Sequence, residues 1–228
     1  MGYHYFLNAI ADRHLLFFSD LQQNNNRDWF AEHKPRFKSL ETEVKNFGEQ
    51  LKDKLNQHDS IDRFKLFRVY RDLRFSKDKT PYKTHFGLTW HRTKPRRGGY
   101  YLHLSPGKNF LACGFWAPNP ADLKRIRLEI DIDGELYRTI LNNKSFRSVW
   151  GELEGEAVKT APKGYAKDHP QIDLLRFKQH IFTIDFQDKD VCQPDFIERT
   201  DIALQAIRPF VDYMSEVLTT NADGESLV

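Results

Sequence analysis

Apolar residues recur every three or four positions in two stretches near the amino terminus, which predicts two amphipathic helices. The first helix should end at the polar run 22–26. The second should begin at Asn26, which suits an N-cap, and restart at Pro35, because proline lacks the amide proton that a helix interior requires. The apolar positions that should face the core are Leu15, Leu16, Phe18 and Leu21, then Phe37, Leu40, Val44, Phe47, Leu51 and Leu55.

From residue 64 onward the hydrophobic period shortens to two, and runs rich in aromatic and β-branched residues alternate with short turns. Four strands are predicted, over 64–71, 84–92, 99–105 and 110–116. Their connections suit an antiparallel meander, although the first connection, 72–83, is long for a hairpin. Long ordered connections often carry function, so this one is a candidate site.

The carboxyl-terminal half is mainly helical in pattern. Asn119 followed by Pro120 marks a helix start, and Pro209 should kink the last helix. Further helices are predicted over 134–141, 144–150, 168–177 and 195–218, and further strands over 157–165 and 180–186. The predicted fold class is therefore α+β, an antiparallel meander of about four or more strands packed against amphipathic helices.

Composition adds the domain count and the compartment. No linker or repeat divides the 228 residues, and 39% apolar residues are enough for one core, so a single domain over 1–228 is predicted. No run of about eighteen apolar residues occurs, and residues 1–11 lack an export signal, so no membrane partner is expected. Cys113 and Cys192 form no disulfide or metal pattern, which favours a reducing, cytoplasmic location.

The charge is distributed unevenly along the chain. The whole protein has a net charge of +3, but residues 63–97 hold twelve Lys or Arg against Asp72 and Asp78, a charge of +10. The remainder holds 23 basic and 30 acidic residues, a charge of −7. An acidic body with one basic segment indicates a local anion site rather than a broadly cationic surface.

One thirteen-residue sequence stands out within that basic segment, RDLRFSKDKTPYK over 71–83. Companion blocks are NNRDWF at 25–30, GYYLHL at 99–104, APKGY at 161–165 and DHP at 168–170. Together they resemble the domain-of-unknown-function 2461 family along about residues 15–218. The resemblance implies a shared fold and a mainly bacterial, cytoplasmic setting, and it implies no activity, cofactor or catalytic residue.

The side chains of the basic segment also predict where an anion would bind. If the first strand continues to Phe75, Arg68 and Arg74 share one face, and a suitable register adds aromatic and imidazole groups from the next strands. Such groups suit a phosphate or carboxylate. Phe75 and Tyr82 should anchor the intervening loop. The candidate ligand-binding residues are Arg68, Arg71, Arg74, Lys77, Lys79, Lys83, His85, Tyr101 and His103.

Two functions follow as alternatives. The first is binding of a phosphorylated or other anionic ligand, small molecule or nucleic acid, with or without hydrolytic chemistry. The second is a non-catalytic scaffold or protein-interaction module, whose basic residues pair with Asp72, Asp78 or an acidic partner. Whether the protein is an enzyme stays open, because no metal, cofactor or nucleophile motif occurs, and neither a metal nor a cofactor is expected.

Overall fold

The structure is a computed structural model that describes residues 9–221 and 224–227. The amino-terminal residues considered above for an export signal lie partly outside the described residues. The fold is α+β, as predicted, with eight helices and a five-stranded antiparallel sheet in the described part of the chain. In chain order the elements are α1 (Asp12–Gln23), α2 (Arg27–Leu55), β1 (Ile61–Leu66), β2 (Phe86–Arg92), β3 (Gly99–Leu104), β4 (Asn109–Phe115), α3 (Pro120–Leu141), α4 (Lys144–Trp150), α5 (Ile172–Leu175), β5 (His180–Phe186), α6 (Asp188–Val191), α7 (Phe196–Ala206) and α8 (Arg208–Thr219).

The strands lie in the order β1-β2-β3-β4-β5, which is a meander. Internal contacts divide the chain into two compact units. The first contains the segments up to Trp90, Tyr101–Leu111 and Asp185–Ile202, and the second contains His91–Tyr100, Ala112–Ile184 and the segment from Ala203 onward. A single domain without a boundary therefore stays a prediction.

The core of the first unit is aromatic and lies between α1, α2 and the start of β2. Phe18 meets the Phe86 ring edge-on at 4.7 Å between ring centroids, and Phe37 stacks on it at 5.9 Å. Farther along α2, a Cβ on Gly48 would come within 2.0 Å of the Phe64 ring, so the missing side chain admits that ring. The Gly48 carbonyl also accepts a hydrogen bond from the Trp90 indole at 2.9 Å. These contacts fix β1 and β2 against α2.

The core of the second unit combines an aromatic cluster with one buried arginine. Phe182 meets Phe210 edge-on at 5.0 Å between ring centroids. The Arg92 side chain is fully buried, where it donates to the Val211 carbonyl at 3.0 Å and pairs with Asp212. A buried guanidinium is tolerated because its donors find acceptors.

Both predicted breaks at proline need correction. The helix does not restart at Pro35, because α2 is continuous and buries Phe30 and Phe37 on one face, which holds the helix across the missing hydrogen bond. The predicted helix over 195–218 is two helices separated at Ile207. Pro209 lies in the first turn of the second helix, where its missing amide proton costs nothing.

Several predicted boundaries are also wrong. The first strand spans Ile61–Leu66 instead of 64–71, and beyond it Tyr70 forms only an isolated antiparallel bridge with Tyr82. The strand predicted over 157–165 is reduced to a bridge between Ala157 and Phe177. The helix predicted over 168–177 is the single turn of α5. Within the described residues, no helix is both long and apolar enough to span a bilayer.

Candidate anion-binding site

Two clusters of side chains in the first unit define the candidate site, and we call them together the sheet-face site. The histidine cluster is His85, Tyr101 and His103. The cationic cluster is Lys65, Arg68 and Lys83. Tyr101 and His103 are two positions apart on β3, so the pleat of the strand directs both side chains to the same face. His85 immediately precedes β2, the neighbouring strand.

The rings of the histidine cluster contact one another. The His85 and His103 ring centroids are 4.2 Å apart, and the Tyr101 hydroxyl is hydrogen-bonded to Nδ1 of His103 at 3.0 Å. The Phe110 ring on β4 stacks on His103 at 4.8 Å, with the two planes 11° apart. His103 is therefore held between an imidazole, a phenol and a phenyl ring, an arrangement that restricts its rotation.

Burial keeps both imidazoles neutral near pH 7. Burial, followed by the charges of Lys83 and Lys108, lowers the pKa of His85 to about 4. Burial, followed by His85 and Lys108, lowers the pKa of His103 to about 4. Burial also raises the pKa of Tyr101 above its ordinary value. The cluster therefore presents neutral hydrogen-bonding groups beside positive charge.

The two lysines of the cationic cluster lie beside the Phe67 ring. The Nζ atoms of Lys65 and Lys83 lie 5.0 and 5.4 Å from its centroid, within reach of a cation–π interaction. Burial, followed by the charges of Arg68 and Lys65, lowers the pKa of Lys83. In the described part of the chain, none of these three cations has a carboxylate within ion-pairing distance. Arg68 does act on one carboxylate at longer range, because the pKa of Asp72, lowered mainly by hydrogen bonds from Arg74, is lowered further by the charge of Arg68.

Gly87 explains how the two clusters come together. It lies on β2, and its carbonyl accepts a hydrogen bond from the Phe67 amide at 2.9 Å. A Cβ at this position would stand 2.9 Å from the Tyr101 hydroxyl and 3.2 Å from the Phe67 ring. The absence of a side chain therefore allows Phe67 and Tyr101 to approach each other across the strand.

The remaining predicted ligands lie in a separate element that we call the basic loop, residues 71–80. Arg71 is its centre, because its guanidinium bonds to the Asp78 carboxylate, the Thr80 hydroxyl and the Ser76 hydroxyl. The Thr80 amide and then Arg71 lower the pKa of Asp78 to about 2. Arg74 pairs with Asp72 in the same loop, with 2.6 Å between Nη2 and Oδ2. Both arginines thus bind carboxylates of their own loop.

The loop is joined to the start of α2 by residues that sequence reasoning did not assign. The Asn25 side chain donates to the Tyr82 carbonyl at 2.9 Å and accepts from the Tyr82 amide at 3.1 Å. The Phe30 ring stacks on the Tyr82 ring at 4.0 Å. Asn26 caps α2 by accepting from the Trp29 amide, as predicted. Two of the sequence blocks quoted above are therefore in direct contact.

The structure brings together only part of the predicted ligand set. Arg68, Lys83, His85, Tyr101 and His103 form the sheet-face site, whereas the basic loop holds Arg71, Arg74, Lys77 and Lys79. The first strand ends before Arg68, so the predicted shared face of Arg68 and Arg74 does not form. Phe75 does not anchor the loop, since it is 96% exposed, whereas Tyr82 is buried.

Sequence reasoning missed Lys65, which belongs to the sheet-face site. It also missed two neighbours of the site, Lys108 and Phe110, which act on its histidines. Lys65 and Arg68 are three positions apart, so simple alternation assigned them to opposite faces. The alternation of its strand would have predicted that Phe110 faces away from its buried neighbours Asn109 and Leu111. Only the register between strands could place it against His103. In the part of the chain described here, no group of His, Cys, Asp and Glu residues is arranged to hold a metal ion.

The fold is that of an α+β protein whose five-stranded sheet carries the site on strands near one edge. The chain belongs to the family described as Conserved hypothetical protein (DUF2461), whose model matches residues 13–213. That match includes every residue of the sheet-face site and of the basic loop. Comparisons with curated proteins and with solved structures gave no significant match.

Proposed function

We propose that this protein binds a phosphorylated or otherwise anionic small molecule at the sheet-face site. The observation that supports the proposal is the cationic cluster of Lys65, Arg68 and Lys83, in which no cation has a carboxylate within ion-pairing distance among the described residues. Like charges held together in this way repel one another, and a bound anion would relieve that repulsion. Perturbed charge clusters of this kind are more frequent at functional sites.

The histidine cluster gives the proposed ligand its hydrogen bonds. A neutral imidazole carries one donor and one acceptor, so His85 and His103 can meet both protonated and ionised oxygens of a phosphate. An anion placed between them would favour the charged imidazolium and raise its pKa.

Inorganic sulfate is the simplest probe, because it stays a dianion from pH 5 to pH 7.5. Isothermal titration should show binding by the wild-type chain, and Lys83→Met and Arg68→Met should each weaken it by about ten-fold, the loss of one charge-assisted contact. Lys45→Met, an exposed lysine on α2, is the matched control and should bind as the wild type does. Equal affinity in all four proteins contradicts the proposal.

The pH dependence of sulfate binding tests whether His85 and His103 take part in it. Binding of a dianion should be about ten-fold tighter at pH 5 than at pH 7.5 if it raises one histidine pKa from about 4 to about 6. Replacing both His85 and His103 with glutamine should remove this difference. A screen of nucleotides and sugar phosphates by thermal shift then identifies the ligand, because binding to the folded state raises the melting temperature.

The scaffold alternative is favoured by a different observation, the ion pairs of the basic loop. Arg71 and Arg74 bind Asp78 and Asp72 of their own loop, which is the arrangement expected of a structural element. If the cationic cluster instead binds an acidic protein, the wild-type chain should bind neither sulfate nor phosphate esters at about 50 mM salt.

A further inference from the structure

The basic loop displays one aromatic side chain to solvent. Phe75 is 96% exposed, the highest value among the large apolar side chains that the structure describes as exposed. It lies midway between Arg71 and Lys79, in the connection between β1 and β2. A single exposed apolar residue is ordinary on a protein surface. The backbone around Phe75 is what distinguishes it.

Side chains hold the backbone on both sides of that ring. Asp72 accepts from the Arg74 amide at 3.2 Å, and Lys79 donates to the Leu73 carbonyl at 3.0 Å. The Ser76 hydroxyl donates to the Asp78 carbonyl at 2.8 Å, and the Arg71 guanidinium donates to the side chains of Ser76 and Asp78. The loop is therefore organised without any contribution from Phe75, and the entropic cost of ordering it for binding is already met.

The charged side chains of the basic loop leave it with a net positive charge. Both carboxylates of the loop bind its arginines, and the pKa values of Asp72 and Asp78 are lowered by those contacts and by backbone amides. Lys77 is exposed and has no hydrogen-bond or ion-pair partner among the described residues. Lys77 and Lys79 lie two and four positions after Phe75 in the same loop, so they add positive charge close to it in sequence.

An exposed aromatic ring on a hydrogen-bonded loop that also carries lysines fits a single-stranded nucleic acid. A base can stack on the ring regardless of its identity, while Lys77 and Lys79 meet the neighbouring phosphates. A membrane-binding loop needs a larger apolar face, and the residues next to Phe75 are Arg74 and Ser76. We propose that the basic loop binds single-stranded RNA or DNA through Phe75 stacked on a base.

The test measures fluorescence anisotropy of labelled twelve-nucleotide RNA and DNA single strands at about 50 mM salt. Phe75→Ala should weaken binding about ten-fold, the loss of one stacked base. Phe75→Trp should retain binding, and its added fluorescence should be quenched when a base stacks on it. Trp116→Ala is the matched control, since Trp116 is 71% exposed but lies outside the basic segment, and it should bind as the wild type does.

A second pair of variants separates charge from stacking. Lys77→Gln with Lys79→Gln should reduce the slope of log affinity against log salt by about 1.4, the value for two phosphates of a single strand. Sulfate binding at the sheet-face site should be unchanged in all basic-loop variants, so this proposal and the proposed function can fail independently.

Three outcomes overturn the inference. One is the absence of binding to any single strand at about 50 mM salt. Another is that Phe75→Ala binds single strands as tightly as the wild type does. This outcome includes the result in which Lys83→Met weakens binding of single strands and Phe75→Ala does not. The third is Phe75-dependent binding to vesicles containing phosphatidylserine without binding to oligonucleotides, which would assign the loop to an anionic membrane.

Discussion

Arg71 and Arg74 are three positions apart in the same loop, yet their surroundings differ. The Arg71 side chain is 26% exposed and joins three loop residues, whereas the Arg74 side chain is 78% exposed and joins one. An exposed ion pair contributes at most about 1 kcal/mol, because solvent screens it and the long side chains lose entropy. A guanidinium that satisfies several groups contributes more, because its removal orphans all of them.

Arg71→Met should therefore loosen the basic loop and Arg74→Met should not. Chymotrypsin offers a direct readout, because it cleaves after an exposed Phe75 once the backbone around that residue can open. Cleavage of Arg71→Met should be about 5- to 150-fold faster than that of the wild type, from a loss of about 1–3 kcal/mol in local stability. Arg74→Met is the control, and equal cleavage of both variants would contradict the structural role of Arg71.

At the level of elements, alternation predicted β2, β3, β4 and β5 to within about two residues, because each is bounded by clear turn residues. Alternation also placed Tyr101 and His103 on one face, because they are two positions apart on the same strand. It failed for β1 because the polar start of that strand, Asp62 and Arg63, carries no hydrophobic signal. The pairing of His85 with His103 depends on strand register, and the pairing of Arg71 with Asp78 depends on loop conformation. Neither follows from residue spacing.

The contact between Asn25 and Tyr82 links the start of α2 to the end of the connection that contains the basic loop. Its two hydrogen bonds resemble a backbone bridge, so Asn25→Ala leaves both the amide and the carbonyl of Tyr82 without this partner. We expect a loss of about 1–3 kcal/mol in the free energy of unfolding, measured with urea.

Asn24→Ala is the matched control for that prediction. Among the described residues its side chain donates to the Asp20 carbonyl, within the same turn of chain, and to no other group, so its replacement should cost less than about 1 kcal/mol. The link between α2 and Tyr82 has no energetic importance if the two alanine variants prove equally stable.

At the scale of the whole molecule, several histidines are held neutral by the fold. Burial, the largest cause for each, lowers the pKa values of His85, His103 and His180 to about 4, and it also lowers the pKa of His14. His180 is fully buried and hydrogen-bonded through Nδ1 to the Tyr137 hydroxyl at 2.7 Å. In an unfolded chain each histidine would titrate near pH 6.5.

The unfolded chain therefore binds more protons than the folded chain between about pH 4 and pH 6.5, and the free energy of unfolding should rise with pH across this window. His180 contributes a slope of up to about 1.4 kcal/mol per pH unit, while the partly exposed His85 and His103 contribute less because solvent screens them. Urea unfolding at pH 5, 6 and 7, in buffers free of sulfate and phosphate, measures the slope. Replacing His85 and His103 together with glutamine should reduce it and leave the part due to His180. A stability that is flat or falls from pH 5 to pH 6.5 would mean that these imidazoles are protonated in the folded protein, and the neutral histidine cluster beside the cations would have to be abandoned.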